Sequence, residues 1–357
     1  MDKYFGISAA GSTIRREIAA GVTTFLTLAY IIFVNPSVLV QAVPGIFDQS
    51  GNIVNQAAYN SYYGAFMVAT IMGSVIATLV MGLYANYPFA LAPGMGLNAY
   101  FTYTVCMKLG ISWQLALAAV FIEGIIFIVL TVTGARTFVA RAVPQPVKAA
   151  TGAGIGLFIA FIGLKNAGIV LPDPVTAVTL GQLNRPDTLL AIIGFFITAI
   201  LFALNIPGSI LIGIILTTVI GAVPAFGVTH YQGIIGKIPD ISPTFLKFQF
   251  DAQTLLTGTF WIVVGTFFFV DFFDTLGTLT GLAEGTGFTK KNGEIERATK
   301  AYLADAVGTV VGAIFGTSTV TTYVESSTGI AVGGRTGLTA VVVAILMLAM
   351  LFFSPLA

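Results

Sequence analysis

The chain has 357 residues, 56% of them hydrophobic and 9% charged, with a net charge of +1 and a mean hydropathy of +0.94. Soluble domains carry about 25% charged residues, so this composition leaves no room for a soluble catalytic domain and defines an all-α polytopic membrane protein. The balanced charge shows no Lys/Arg cluster for nucleic acid. A single cysteine, Cys106, and a single histidine, His230, exclude an intrachain disulfide, a Cys-built metal site and most zinc chemistry.

A membrane helix needs about 20 apolar residues. In chain order the sequence predicts spans at 18–40, 62–82, 88–106, 112–134, 145–165, 188–204, 207–225, 256–283, 298–316, 317–333 and 336–357. Arg15-Arg16-Glu17 leads straight into the first run, which lacks the short core and small-residue cleavage site of a signal peptide and is read as a retained helix. With the N-terminus inside, eleven basic residues fall on cytoplasmic loops: Lys3, Arg15, Arg16, Arg136, Arg141, Lys148, Lys290, Lys291, Arg297, Lys300 and Arg335. Five fall outside, namely Lys108, Lys165, Arg185, Lys237 and Lys247. That asymmetry follows the positive-inside rule and fits an odd number of crossings.

The third and tenth spans differ from the rest. Tyr87-Pro88-Phe89-Ala90-Leu91-Ala92-Pro93-Gly94-Met95-Gly96-Leu97-Asn98 packs two prolines and two glycines into a dozen residues, and each proline removes a backbone donor. Between Thr317 and Thr328 the tenth carries five threonines and three serines, which favour an extended stretch before a helix begins. Irregular backbone at membrane depth is tolerated where protein or a water-filled cavity surrounds it, and paired interrupted spans point to a transporter binding site. If half-helices follow, Asn98 and Ser326 lie near their N-termini. The bland alternative is a pair of kinks in an ordinary bundle.

Acids inside the membrane are costly, about 2.5 to 3.5 kcal/mol each on insertion scales. Glu325 lies in the tenth span. In the eighth, Asp271, Asp274, Thr275 and Thr278 occupy positions i, i+3, i+4 and i+7, one stripe of a helix. Asp274 also suits plain interhelical hydrogen bonding. Glu123 and Asp305 read as supporting or helix-packing groups, and Glu284 as a helix-end residue. No span carries a central basic residue to neutralise these acids. Since burial disfavours the charged carboxylate, a proton is the expected coupling ion, with no other cofactor. A second carboxylate then accepts N–H groups from a neutral, planar ligand, on which Phe101, Phe269 or Phe273 could stack.

The runs Ala92-Pro93-Gly94-Met95-Gly96-Leu97-Asn98-Ala99-Tyr100-Phe101, Val270-Asp271-Phe272-Phe273-Asp274-Thr275-Leu276-Gly277 and Tyr323-Val324-Glu325-Ser326-Ser327-Thr328-Gly329 together resemble the AzgA-like purine permeases. These belong to the nucleobase/cation symporters related to xanthine/uracil permeases. The resemblance implies fourteen segments in two inverted repeats of seven, with short strands in segments 3 and 10. By it, residues 1–134 form the first half of a core domain, 135–250 the first half of a gate domain and 251–357 the second core half. It implies import of adenine, guanine or hypoxanthine with protons across the cell membrane, with the N-terminus cytoplasmic and homodimers common. Carried over motif by motif, Asn98, Gly96, Asp271, Glu325 and Ser326 bind substrate and Asp271 and Glu325 couple protons, with Asp274, Asp305, Thr275, Thr322 and Thr328 in support. The chain supplies about eleven of the fourteen segments, so the second gate half is expected to be absent, and a non-transporting fragment is one alternative reading. An anion exchanger of the sulfate-permease type is another, opposed by the acids. An aspartyl protease dyad is disfavoured because Asp271 and Asp274 share one helix.

Overall fold

The computed structural model describes residues 1–48, 51–134, 145–173, 176–206, 208–223, 226–228, 233–289 and 295–356. Arg136, Arg141, His230, Lys290 and Lys291 lie outside the described residues, as do the side chains of Lys148 and Glu284. Among the described residues, seven helical stretches are long and apolar enough to cross a membrane, and two shorter apolar helices accompany them.

After a short α1 (Asp2–Phe5), the first span runs as α2 (Ile14–Leu28) and α3 (Ile31–Leu39). Thr13 caps it by accepting from the Arg16 N–H. At the junction the ladder tightens to i→i+3 bonds, Ile32 N–H to Ala29 O at 3.2 Å and Phe33 N–H to Tyr30 O at 3.1 Å. Pro36 inside α3 contributes, since its missing N–H leaves the carbonyl of Ile32 without its usual partner. The sequence had predicted one continuous helix here.

The second span is α4 (Gln56–Val80), capped by the Asn55 side chain and ending in wide π-type turns at Met81–Ala85. The third begins as strand β1 (Leu91–Pro93), turns at Gly94 into α5 (Met95–Ala99) and widens over Tyr100–Lys108. Helix α6 (Trp113–Val132) follows, then α7 (Gln145–Asn166). Strands β2 (Val170–Asp173) and β3 (Ala177–Leu180) pair antiparallel, an addition to the helices expected from sequence. Then come α8 (Pro186–Ala203), α9 (Ser209–Gly221), the short α10 (Ala252–Leu255) and the long α11 (Gly258–Thr286). Helix α12 (Ala298–Phe315) precedes strand β4 (Val320–Thr322) and α13 (Ser326–Val332), and α14 (Gly337–Ala349) continues as 3₁₀ turns over Met350–Leu356.

Strands β1 and β4 pair antiparallel, with Leu91 opposite Thr322, Ala92 opposite Thr321 and Pro93 opposite Val320. The pairing extends past the strands through Gly94 N–H to Thr319 O at 3.0 Å and Tyr323 N–H to Ala90 O at 2.9 Å. A two-stranded ribbon leaves two outer edges, and inside a membrane these must be satisfied by protein. Here side chains do it. Thr78 of α4 both accepts from the Leu91 N–H and donates to the Leu91 carbonyl, while Thr309 of α12 donates to Val320 O at 3.1 Å.

Around this ribbon α12 packs on α4 and α6, α14 on α2 and α4, and α13 on α2. Small residues permit the close approach. A Cβ at Gly308 would stand 2.8 Å from Ala77 Cβ, and one at Gly312 would stand 2.8 Å from Val320 Cγ2 and 3.0 Å from Ser318 O. Away from the ribbon, α8 exposes Phe195, Phe196, Ile200 and Phe202. Such an apolar outer face suits a hydrocarbon surround.

Candidate functional site

A cavity of about 140 Å³ opens where the two irregular spans meet α11 and the tightened turn of the first span. Its wall includes Tyr30, Gly94, Met95, Gly96, Asp274, Thr278, Thr321, Thr322, Tyr323 and Glu325. Glu325 occupies the residue before α13 and takes a 2.8 Å hydrogen bond on Oε1 from the Tyr30 hydroxyl. Asp274 and Thr278 face the cavity from α11. Two carboxylates therefore share the wall, and among the described residues no Lys, Arg or His lines it.

The remaining polar residues singled out from sequence stand behind this wall. Asn98 and Asp271 are fully buried and do not line the cavity. Asn98 Oδ1 accepts from the Ser318 hydroxyl. Thr275 Oγ1 lies 3.3 Å from Asp271 Oδ1, 2.7 Å from Asp305 Oδ2 and 3.1 Å from Thr321 Oγ1. With one proton to give, it serves Asp305 best by distance. Asp305 Oδ1 in turn accepts from the Thr322 N–H at 3.0 Å and the Thr322 hydroxyl at 3.1 Å, closing the outer edge of β4. Ser326 Oγ accepts from the Ala90 N–H at 3.0 Å, so it faces β1. Thr328 pairs with Thr27 at 3.0 Å.

The stripe Asp271, Asp274, Thr275 and Thr278 thus divides. Asp274 and Thr278 look into the cavity, while Thr275 bonds Asp305 and Thr321 of β4, and Asp271 lies buried beside Thr275.

Every hydroxyl from Thr317 to Thr319 ends on a different helical span. Thr317 accepts from Asn35 of α3 at 2.8 Å, Ser318 donates to Asn98 of α5, and Thr319 donates to Glu123 of α6 at 3.2 Å. These bonds explain why so many hydroxyls sit at membrane depth. They hold an extended chain that cannot satisfy itself as a helix does.

Phenylalanine stacking on a ligand is not supported by the placement of the three candidates. Phe101 is 1% exposed and packs near Phe267 in the core, and Phe269 is 56% exposed on the outer face of α11. Phe273 packs on Phe272 and Phe269, so none of the three lines the cavity. Its aromatic side chains are Tyr30 and Tyr323. Sequence reasoning missed Tyr30, because a tyrosine within an apolar run reads as an ordinary helix residue. Its one available signal was Pro36, six positions on, which weakens the ladder near it.

Discontinuous spans crossing beside an acidic cavity define a secondary membrane carrier. Residues 15–357 match the Permease family (Xan_ur_permease), and the chain belongs to it. It is 53% identical over 356 residues to "Putative permease MJ0326" of Methanocaldococcus jannaschii, covering 99% of this chain and 77% of that one. It is 44% identical over 357 residues to "Guanine/hypoxanthine permease PbuG" of Bacillus subtilis, covering 100% and 79%. It is 39% identical over 361 residues to "Adenine permease AdeP" of Escherichia coli, covering 100% and 76%. Among solved structures, the transmembrane domain of the cyanobacterium bicarbonate transporter BicA superposes with a TM-score of 0.64 at 18% identity, covering 96% of this chain and 83% of that one. At that identity the likeness concerns the fold alone. The chain is a multi-pass transport protein of the nucleobase permease type.

Proposed function

We propose that this chain carries purine nucleobases inward across the cell membrane together with protons, its N-terminus facing the cytoplasm. The observation that supports the substrate class most directly is the cavity wall, which Asp274 and Glu325 share and which no basic side chain among the described residues lines. Such a wall accepts N–H donors and repels anions, which speaks against exchange of bicarbonate- or sulfate-like ions despite the shared fold. The names of the guanine/hypoxanthine and adenine permeases point to the same class of ligand. The volume, about 140 Å³, is below the roughly 300 Å³ of drug-sized pockets and suits a small planar base.

In this reading Glu325 accepts purine N–H groups, and Gly96 leaves room for the ring. Thr322 and Asp274 complete the wall. Asn98, Ser326, Thr275, Thr328 and Asp305 fix the two irregular spans, and Asp271 exchanges the coupling proton with Glu325 as the cavity opens to either side. Transport then requires the unit built on α2–α6 and α11–α14 to move against the α7–α9 unit, and a homodimer is the proposed assembly.

The test is uptake of labelled adenine, guanine, hypoxanthine and uracil by permease-deficient cells expressing the chain, with and without a protonophore. Purine accumulation abolished by the protonophore is the expected result. Uptake of uracil alone, or accumulation indifferent to the protonophore, refutes the reading.

A further inference from the structure

Tyr30 sits at the tightened turn between α2 and α3, and its side chain reaches the cavity wall. Its hydroxyl donates to Glu325 Oε1 at 2.8 Å. No other side chain among the described residues donates to that carboxylate. Three residues earlier, Thr27 pairs with Thr328 of α13 at 3.0 Å and approaches Glu325 O at 3.5 Å. The phenol is therefore held in register with the acid it serves.

A carboxylate with both oxygens open accepts two parallel N–H donors from one edge of a planar partner, as it accepts the fork of an arginine. Guanine offers such an edge, its ring N1–H beside a 2-amino group. Hypoxanthine offers the same ring N–H with a C–H in place of the amino group. In this cavity the Tyr30 phenol takes one lone pair of Oε1, which leaves that oxygen the weaker acceptor toward a ligand and Oε2 the stronger.

We propose that Tyr30 is a specificity-determining residue: by taking a lone pair of Oε1 of Glu325 it makes that oxygen the weaker acceptor of the edge, so the site reads the ring N–H more strongly than a neighbouring amino group. The inference rests on the purine reading above. Two bases that differ by one amino group are then bound alike, and the hydroxyl of Tyr30 is what makes them alike. Removing it opens Oε1 to the second donor, and only the base that has a second donor gains.

The experiment is equilibrium binding of guanine and of hypoxanthine to the purified full chain in nanodiscs, as wild type and as Tyr30→Phe. Wild type is expected to bind the two within about threefold of each other. Tyr30→Phe should raise the guanine-to-hypoxanthine affinity ratio to about tenfold, the usual effect of one added hydrogen bond to a charged acceptor. Tyr30→His, which restores a ring N–H donor, should return the ratio toward one. An unchanged ratio in a Tyr30→Phe protein that still binds both bases overturns the proposal, as does equal weakening or loss of both. A tenfold guanine preference in wild type also overturns it. Wild type that binds neither base instead defeats the purine reading, and it is told apart because it is seen before any substitution is made.

Discussion

Replacing Asp305 with alanine removes the acceptor of three donors at once: the Thr322 N–H, the Thr322 hydroxyl and the Thr275 hydroxyl. The hydroxyls have some recourse, since Thr275 also lies within hydrogen-bonding distance of Thr321 and Asp271. The N–H has none, for it points away from β1 on a fully buried edge, and leaving it unsatisfied costs about 1 to 3 kcal/mol. Adding the loss of a charge-assisted bond brings the expected destabilisation to about 3 kcal/mol. Asp305→Asn differs instructively. Its carbonyl oxygen can keep both Thr322 bonds and its amide can donate to Thr275 Oγ1, so about 1 kcal/mol is expected. Equilibrium unfolding in an SDS titration measures both, read by a thiol-reactive dye at Cys106, the chain's one cysteine and a partly buried one. If alanine lies within 1 kcal/mol of wild type, or asparagine is as harmful as alanine, Asp305 is not what holds the outer edge of β4.

Other substitutions probe other links. Gly312→Ala would set a methyl 2.8 Å from Val320 Cγ2, and an overpacking cost of about 1 to 3 kcal/mol is expected. Val320→Ala in the same chain should recover part of it, and strict additivity of the two changes would show that they do not meet. Glu17 is fully buried and accepts from the Arg335 N–H, the Thr336 N–H and the Thr339 hydroxyl, capping α14 from another helix. Glu17→Ala should therefore cost about 2 to 4 kcal/mol in the SDS titration, and a loss below 0.5 kcal/mol would count against that role. For the proposed transport roles, Glu325→Gln is expected to abolish purine binding in an equilibrium assay, and wild-type affinity would contradict it. Asp271→Asn is expected to leave binding but end concentrative uptake, so accumulation that survives the change would remove Asp271 from proton coupling.

The spans were legible because length and hydropathy alone set them. The predicted 112–134 and 298–316 became Trp113–Val132 and Ala298–Phe315. The break in the third span announced itself through Pro88, Pro93 and Gly94, three residues whose crowding into so short a stretch works against a regular helix. The first span's tightening at Tyr30 did not, because Ile18 to Leu39 holds a single proline and α3 absorbs it. The strand pair Val170–Asp173 and Ala177–Leu180 is not legible in the sequence, since two four-residue strands carry too little alternation to stand out from a polar loop. Within the site, sequence identified which residues were too polar for lipid but not where they turned. Asp271 and Asp274 differ by three positions on one helix, and that offset of about 60° separates a residue behind the wall, beside Thr275, from one facing the cavity. Partners such as Ser318 and Asn98, 220 residues apart, come together only through the fold.

The strap from Thr317 to Thr322 fastens to α3, α5, α6, α11 and α12 through side chains of individual residues. In genetic terms this makes six residues the common address of lesions scattered through most of the chain. A defect at Asn35, Asn98, Glu123, Thr275 or Asp305 should find its compensating change between Thr317 and Thr322, and among related sequences these positions should vary in step with that short stretch more than with one another.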